Sequence, residues 1–355
     1  MFRQSIHRFF HSGAKALALA LLATFLVGAS LAEAGAPPPP PPPPSPNVLG
    51  LRSGYGIEVR GSWWLTSRTA IVSIYTTDVG TATVNGPHEI RVTIPGNYYS
   101  SGGTRFPVLY LLHGGAGGSS RQWTSEGGAA EYITRNAPLI TVMPDGGKVG
   151  WYTDWVNASN GAQAWEHFHL YELIPWVDMN FRTIARKEGR AIAGLSMGGF
   201  GAIHYAQDRP DLFAYAGSFS GALDLEDQGI RATVIEQCIQ NGMPADGPFG
   251  SPVWPFDTKW VSTNPLRRAD RLRTVYVALY AGSGIHDADV LERTVGWSSF
   301  QMSNALNAQG IPHFWWMYGR GPGLPWGCDG GHNFNCWNFA FEHALPGMMN
   351  VLWHP

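Results

Sequence analysis

The chain has 355 residues, of which 44% are hydrophobic, so it is long enough to bury a sizeable core in one large domain or two ordinary ones. Its formal net charge is −2, and no run is rich in lysine and arginine. Because binding to nucleic acid needs clustered cations on the protein, the composition excludes nucleic acid as a partner.

The first 34 residues have the pattern of a targeting segment. Arg3, Arg8 and Lys15 precede an apolar stretch of about fifteen residues, and residues 32–34 (AEA) fit a small-residue cleavage site. This stretch is shorter than the roughly 20 residues that cross a bilayer. We therefore predict a cleaved signal peptide over residues 1–34 rather than a membrane anchor, and a protein that is secreted or held at the cell envelope.

Residues 35–49 form a proline-rich segment that contains eight consecutive prolines. Such a run adopts an extended polyproline II conformation of about 3.1 Å per residue. We predict a linker, which is either a spacer that holds the domain off a cell surface or a disordered terminus. Residues 50–355 are predicted to form one catalytic domain.

Seven apolar runs in this domain are predicted to be strands, and helix-like stretches lie between several of them. The predicted strands are residues 88–94, 106–112, 138–144, 190–195, 213–219, 274–281 and 312–318, and the helical stretches include 129–136, 165–181, 198–210 and 288–309. Strands that alternate with helices indicate a mostly parallel sheet with helices on both faces. The predicted fold class is therefore α/β.

The motif GLSMG at residues 194–198 fits the G-x-S-x-G pattern of a nucleophile elbow. In such an elbow the serine lies between a strand and a helix, so that the turn exposes its hydroxyl above the sheet. Residues 190–195 are a predicted strand, and residues 198–210 are a predicted helix. The context matches, and Ser196 is predicted to be a catalytic nucleophile.

A serine nucleophile needs a base, and in α/β-hydrolases the order along the chain is serine, acid, histidine. His332 is the predicted base, because it lies in a glycine-rich loop after the last predicted strand. Three other histidines fit less well, since they lie inside the strand, in a predicted terminal helix and next to the end of the chain: His313, His343 and His354.

Two residues are candidates for the acid that orients the base. Asp287 directly follows a predicted strand, which is the commonest position, and Glu292 lies at the start of the next helix. The pattern alone slightly favours Asp287. The predicted oxyanion donors are the amide of Met197, which follows the nucleophile, and that of Gly115 in the loop HGGAGG, with Gly114 as the alternative.

The three cysteines are typical of an exported protein with one disulfide. Cys328 and Cys336 are close enough to close a small loop, which leaves Cys238 unpaired, although three single pairings are open. A Cys328–Cys336 bridge would hold the loop that carries His332.

His167 and His169, with Glu166 and Glu172 nearby, suggest a metal site. However, positions i and i+2 of a helix point well apart, so the two histidines would not share one ion. We predict no metal ion at these residues.

Several segments together resemble the antigen 85 mycolyltransferases, within the esterase D-like group of α/β-hydrolases. The similarity runs from about residue 106 to 345, and it is most specific at YTDW (152–155) and AGSFSGALD (216–224). The resemblance implies a single-domain α/β-hydrolase fold without a cofactor. It also implies an acyl ester or glycolipid donor and transfer of a long acyl chain to trehalose or to cell-wall sugars.

Carried over by position, the family nucleophile falls on Ser196 and its base falls on His332, with the aromatic Trp337 five residues further on. The spacing of LERTV and NAQG assigns the family acid to Glu292, against the preference for Asp287 from the pattern alone. This Ser-Glu-His set is the predicted catalytic triad.

Three positions depart from the family pattern. His113 replaces an acidic residue that helps to bind the sugar, the following loop is glycine-rich as in simple esterases, and a family disulfide before residue 165 is missing. These departures keep open the alternative of a plain secreted carboxylesterase without a sugar acceptor. A further alternative is a non-catalytic protein that binds cell wall or matrix, since the family also contains members that have lost catalysis.

Overall fold

The computed structural model describes residues 46–80, 88–284, 288–319 and 324–354. Residues Pro44–Pro355 form one compact unit, while the predicted signal peptide and most of the predicted linker lie outside the described residues, as does Asp287. The fold begins before the predicted boundary at residue 50. Asn47 bonds through its side chain to the Leu51 carbonyl (2.7 Å) and to the Ser62 hydroxyl (2.7 Å).

One sheet of nine strands organises the described part of the chain, in the order β1-β2-β3-β5-β4-β6-β7-β8-β9. The pairs β1–β2, β2–β3 and β3–β5 are antiparallel, and all other pairs are parallel. The strands are β1 (Glu58–Trp64), β2 (Thr69–Tyr75), β3 (His88–Thr93), β4 (Val108–Leu112), β5 (Ile140–Pro144), β6 (Arg190–Leu195), β7 (Tyr215–Phe219), β8 (Tyr276–Gly282) and β9 (His313–Tyr318). The mostly parallel sheet is confirmed. The prediction contained β3 to β9 and missed β1 and β2.

Eight α-helices accompany the sheet in the described ranges. They are α1 (Ala130–Ile133), α2 (Trp165–His167), α3 (Ile174–Asn180), α4 (Met197–Asp208), α5 (Gln228–Gln240), α6 (Thr258–Thr263), α7 (Val290–Ala308) and α8 (Phe334–Val351). A π-helical segment, Phe168–Leu173, joins α2 to α3, so the predicted helix 165–181 is present but widened in its middle. Helix α5 was not predicted.

Two apolar layers cover the two faces of the sheet, because successive side chains of a strand point to opposite sides. In β4, Val108, Tyr110 and Leu112 belong to one layer, whereas Leu109 and Leu111 belong to the other. Helices α3, α4 and α7 complete the first layer, and α8 completes the second. Among the described residues, no helix has the length and apolar character needed to span a membrane.

Candidate active site

Ser196 lies in the sharp turn between β6 and α4, at the carboxyl edge of the sheet. Its φ of 52° is in the left-handed region, which costs energy for a residue with a side chain and is typical of a nucleophile elbow. Two glycines permit the turn. A Cβ on Gly194 would lie 2.4 Å from the Gly198 oxygen, and one on Gly198 would lie 2.6 Å from the Leu112 oxygen. The chain therefore crosses itself too closely for any larger residue.

His332 lies beside Ser196, in the loop that precedes α8. Its Nε2 is 2.9 Å from the Ser196 Oγ, and its Nδ1 is 2.6 Å from Oε2 of Glu292. Glu292 is fully buried in the first turn of α7. The structure thus brings together the three residues that the family resemblance assigned as a triad. It does not describe Asp287, the candidate from the pattern alone.

The buried carboxylate of Glu292 has hydrogen-bond donors besides His332. Its Oε1 accepts from the Ser220 hydroxyl (2.8 Å) and from the amide of Gly282. A buried charge is costly unless its oxygens are satisfied. These partners, at the ends of β7 and β8, therefore hold Glu292 in one position.

Asp289, at the N-cap of α7, connects the acid to the base. Its Oδ1 accepts from the Glu292 amide (2.9 Å), and its Oδ2 accepts from the His332 amide (2.8 Å). The sequence reading missed this residue. An acidic residue three positions before Glu292 is an N-cap signal that could have drawn attention to it.

The loop of His332 is held from behind by an aromatic ring and a disulfide. Trp337 meets the His332 ring edge-to-face at 4.9 Å between centroids and donates from Nε1 to the Ser220 hydroxyl (3.2 Å). Cys328 and Cys336 are bonded on either side of His332, as predicted. Cys238 is a buried free thiol, and burial raises its pKa to about 12.

Backbone amides beside Ser196 are available for an oxyanion. Those of Met197 and Gly115 donate to no acceptor within the described part of the chain, whereas the Gly114 amide donates to Oε1 of Gln122 (2.9 Å). A Cβ on Gly114 would lie 3.6 Å from the Ser196 Cβ, so the glycine loop lies directly against the elbow. Of the two glycines considered, only Gly115 has a free amide.

His113, which stands where the family pattern has an acidic residue, bonds to two backbone groups. It is buried, its Nδ1 bonds to the Gly114 carbonyl (2.7 Å), and its Nε2 accepts from the Gly146 amide (2.7 Å). His113 ties the glycine loop to the segment after β5.

The histidines at 167 and 169 do not share a site. The buried His169 bonds to the Tyr205 hydroxyl (2.9 Å) and the Asp145 carbonyl (2.9 Å), while the exposed His167 pairs with Asp78. The prediction that i and i+2 would point apart agrees with this placement.

Glu166, His204 and Asp208 form another group that has ligand atoms within reach of one metal ion. However, the guanidinium of Arg268 lies against both His204 (3.2 Å) and Asp208. Burial alone would raise the pKa of Glu166, but the hydrogen bond and charge of His204 outweigh it and lower that pKa to about 2. A cation already lies beside His204 and Asp208, and we interpret the group as a structural ion network.

Comparison with known proteins shows the family of the chain. The sequence profile of the Esterase family matches residues 81–348. The chain belongs to the Esterase family. Esterase Rv1288 of Mycobacterium tuberculosis is 38% identical over 234 residues, which are 63% of this chain and 50% of that protein. The chain thus spans only half the length of this curated relative.

The resemblance to antigen 85 is also confirmed. The diacylglycerol acyltransferase/mycolyltransferase Ag85B of Mycobacterium leprae is 29% identical over 272 residues, covering 72% of this chain and 79% of that protein. The crystal structure of Mycobacterium tuberculosis MPT51 (FbpC1) superposes with a TM-score of 0.60 at 20% identity, over 78% of this chain and 97% of that one. This structural match supports the α/β-hydrolase fold.

Proposed function

We propose that this member of the Esterase family is a serine esterase with acyltransferase capacity, in which Ser196 is the nucleophile, His332 the general base and Glu292 the orienting acid. The observation that carries the proposal is the continuous hydrogen-bonded chain from the buried Glu292 carboxylate through the His332 ring to the Ser196 hydroxyl. This arrangement is what makes a serine hydroxyl nucleophilic in acyl transfer.

The proposed reaction has two halves. In the first, His332 Nε2 takes the proton of Ser196 while Oγ bonds to the carbonyl carbon of an ester. The ester C–O bond then breaks, and the leaving alcohol receives the proton from His332. In the second half, His332 takes a proton from the acceptor hydroxyl, whose oxygen attacks the acyl-serine. Ser196 regains its proton as the product leaves.

The amides of Met197 and Gly115 are proposed to hold the oxyanion in both halves. Both are free to donate, and Met197 opens α4, whose N-terminal dipole also favours negative charge. Losing one such donor typically lowers kcat by about 10² to 10³. Glu292 stabilises the imidazolium that forms on His332 in each half.

Water is the acceptor in the first form of the proposal, because the 38% identical relatives are named esterases. Transfer to a sugar hydroxyl is the second candidate, which the likeness to Ag85B favours. The buried His113, in the place of a sugar-binding acid, weakens the case for trehalose. Product analysis with a p-nitrophenyl ester, with and without trehalose, separates the two, since only transfer yields acylated trehalose.

The test of the esterase proposal is turnover of p-nitrophenyl esters from butyrate to palmitate, with Ser196→Ala as the control. We expect measurable kcat/KM for at least one chain length and its loss in the variant. If a folded wild-type chain neither hydrolyses these esters nor transfers their acyl group to trehalose, the non-catalytic binding protein considered above replaces the proposal.

Export with cleavage after residue 34 is part of the same proposal. It is supported by the apolar segment in the sequence and by the Cys328–Cys336 bridge, since disulfides persist in oxidising compartments. N-terminal sequencing of protein recovered from the culture medium or cell envelope tests it. A first residue near Gly35 is expected, and an intact Met1 on cell-associated protein would contradict it.

A further inference from the structure

The loop between α5 and α6 exposes three large apolar side chains within four residues. Val253, Trp254 and Phe256 are 63%, 82% and 71% exposed, and we name residues 253–256 the aromatic tip. Isolated exposed apolar residues are ordinary, but a contiguous group marks a binding surface. Val156, itself exposed, lies beside Gly250, three residues before the tip, since a Cβ on Gly250 would lie 3.3 Å from its side chain.

The backbone on both sides of the aromatic tip is held by Arg231. The buried Arg231 of α5 donates to the carbonyl of Pro252 (2.6 Å) and to Oδ2 of Asp257 (3.0 Å), so it holds the chain on both sides of the tip. Within the tip, the Phe256 amide bonds to the Val253 carbonyl (2.8 Å). The exposed conformation is therefore built into the loop.

The segment before the tip also packs against α4, the helix that follows the proposed nucleophile. Phe249, just before the tip, packs against Trp151 (6.2 Å between ring centroids) and against Phe200 of α4 (5.9 Å). The Trp151 amide in turn bonds to the sulfur of Met197, the residue that follows the proposed nucleophile (3.3 Å). These contacts link the segment before the tip to the residue that follows the proposed nucleophile.

We propose that the aromatic tip inserts into the surface of aggregated acyl lipid, so that the enzyme works on esters at a lipid–water interface. Aromatic and aliphatic side chains partition into such interfaces, and burying each contributes about 1.5–3 kcal/mol. The proposal rests on the proposed esterase function for its chemistry, and it adds to that function a surface that places the enzyme on aggregated lipid.

The chemistry of the tip favours lipid over a sugar or a charged protein. Residues 247–256 contain no Asp, Glu, Lys or Arg. A sugar platform needs polar groups around its aromatic ring to bond the hydroxyls. Ser251, two residues before the tip, has a hydroxyl oxygen that already accepts from the Val253 amide (3.3 Å). The tip itself has no charged side chain, and its one polar side-chain group is the indole N–H of Trp254. An apolar ring with a single polar edge suits a lipid–water interface.

The first experiment measures sedimentation of residues 44–355 with phosphatidylcholine vesicles. This span is one compact unit that contains the whole sheet, and it omits the apolar N-terminal segment, which would itself bind lipid. We expect the wild type to bind the vesicles. The double variant Trp254→Ser/Phe256→Ser should bind them at least about tenfold more weakly. The matched control is Tyr99→Ser, which removes another highly exposed aromatic residue and should leave binding unchanged.

A second readout compares two substrates. The double variant should keep its kcat/KM on a soluble short-chain ester and lose about tenfold on an emulsified long-chain ester. Tip-dependent vesicle binding that persists in Ser196→Ala would uphold the surface even if the esterase proposal failed. Equal binding by wild type and double variant, or no binding by the wild type, would overturn the inference. Tip-dependent binding to insoluble cell-wall polysaccharide alone would assign the surface to sugar instead.

Discussion

At the scale of single residues, the proposed site depends on a fully buried carboxylate. Glu292 has no contact with solvent, yet each of its oxygens has a hydrogen-bond donor: Ser220 and Gly282 on one and His332 on the other. A carboxylate held in this way fixes the tautomer of His332 and favours its charged form during turnover.

Replacing Glu292 with Gln tests that role. The amide keeps the shape but supplies no charge, so we expect kcat to fall by several orders of magnitude, about 10⁴ in comparable triads, with little change in KM. Asp287→Asn, the other acid that the sequence offers, is the matched control and should retain near wild-type kcat. Steady-state kinetics on a soluble ester that show the reverse order would assign the acid to Asp287.

The sequence predicted the site unevenly, for physical reasons. Ser196 and His332 follow from local patterns, because an elbow needs glycines and the base lies after the last strand. The choice of Glu292 needed the family resemblance, since position along the chain does not reveal which carboxylate faces the imidazole. Asp289 was missed because its partner is the backbone amide of His332, 43 positions away, which only the folded loop brings near.

At the scale of elements, the N-terminus of α7 positions the proposed acid and base together. Asp289 caps this helix and also accepts from the His332 amide, whereas Asp227 caps α5 by accepting from the amides of Gly229 and Ile230 alone. Asp227 therefore contacts only its own helix, whereas Asp289 contacts its helix and the loop of His332. The comparison of the two caps separates the two roles of Asp289.

Asp289→Ala and Asp227→Ala should each lower the free energy of unfolding by about 1 kcal/mol, as lost caps do. Only Asp289→Ala should also lower kcat, by about tenfold or more, because His332 loses a backbone anchor. Denaturant unfolding and ester kinetics on both variants measure the two effects. An equal fall in kcat for both would mean that Asp289 acts only as a cap.

The Cys328–Cys336 bridge closes the loop that contains His332. With a sequence separation of eight, its removal should destabilise the protein by about 2–3 kcal/mol in the chain-entropy description. We expect Cys328→Ser/Cys336→Ser to have a lower Tm and a lower kcat, and dithiothreitol to reproduce both changes in the wild type but not in the variant. Unchanged kcat in the folded variant would show that the loop is positioned without the bridge.

At the scale of the whole molecule, the parallel half of the sheet was the most predictable part. Its strands are buried on both faces and read as continuous apolar runs. Strand β2 is a run of the same kind and was within reach of the pattern. Strand β1 was not, because it is a partly exposed edge strand with an irregularity between Val59 and Gly61. Helix α5 shows little apolar periodicity and was missed for that reason.

One contribution to the pH dependence of stability comes from the buried His169. Burial lowers the pKa of His169 to about 3, whereas the unfolded chain binds this proton near the ordinary value of 6.5. Stability from this group is therefore complete above pH 6.5 and falls by about 1.4 kcal/mol per pH unit below it, down to the folded pKa.

His169→Gln removes this titration while keeping a donor for the Asp145 carbonyl. Urea unfolding at about pH 7.5 and about pH 5 should show that the wild type loses about 2 kcal/mol more than the variant over this interval. Parallel losses in the two proteins would mean that other groups set the acid sensitivity.

The measurement that tests the central claim most directly is the intact mass of the protein after reaction with an alkyl fluorophosphonate. An activated serine oxygen displaces fluoride and keeps the phosphonyl group, which peptide mapping then locates. We predict one added phosphonyl group on the wild type, located on Ser196, none on Ser196→Ala, and strongly slowed labelling of Glu292→Gln. A folded wild-type chain that stays unlabelled, or that is labelled equally in Ser196→Ala, would contradict the account.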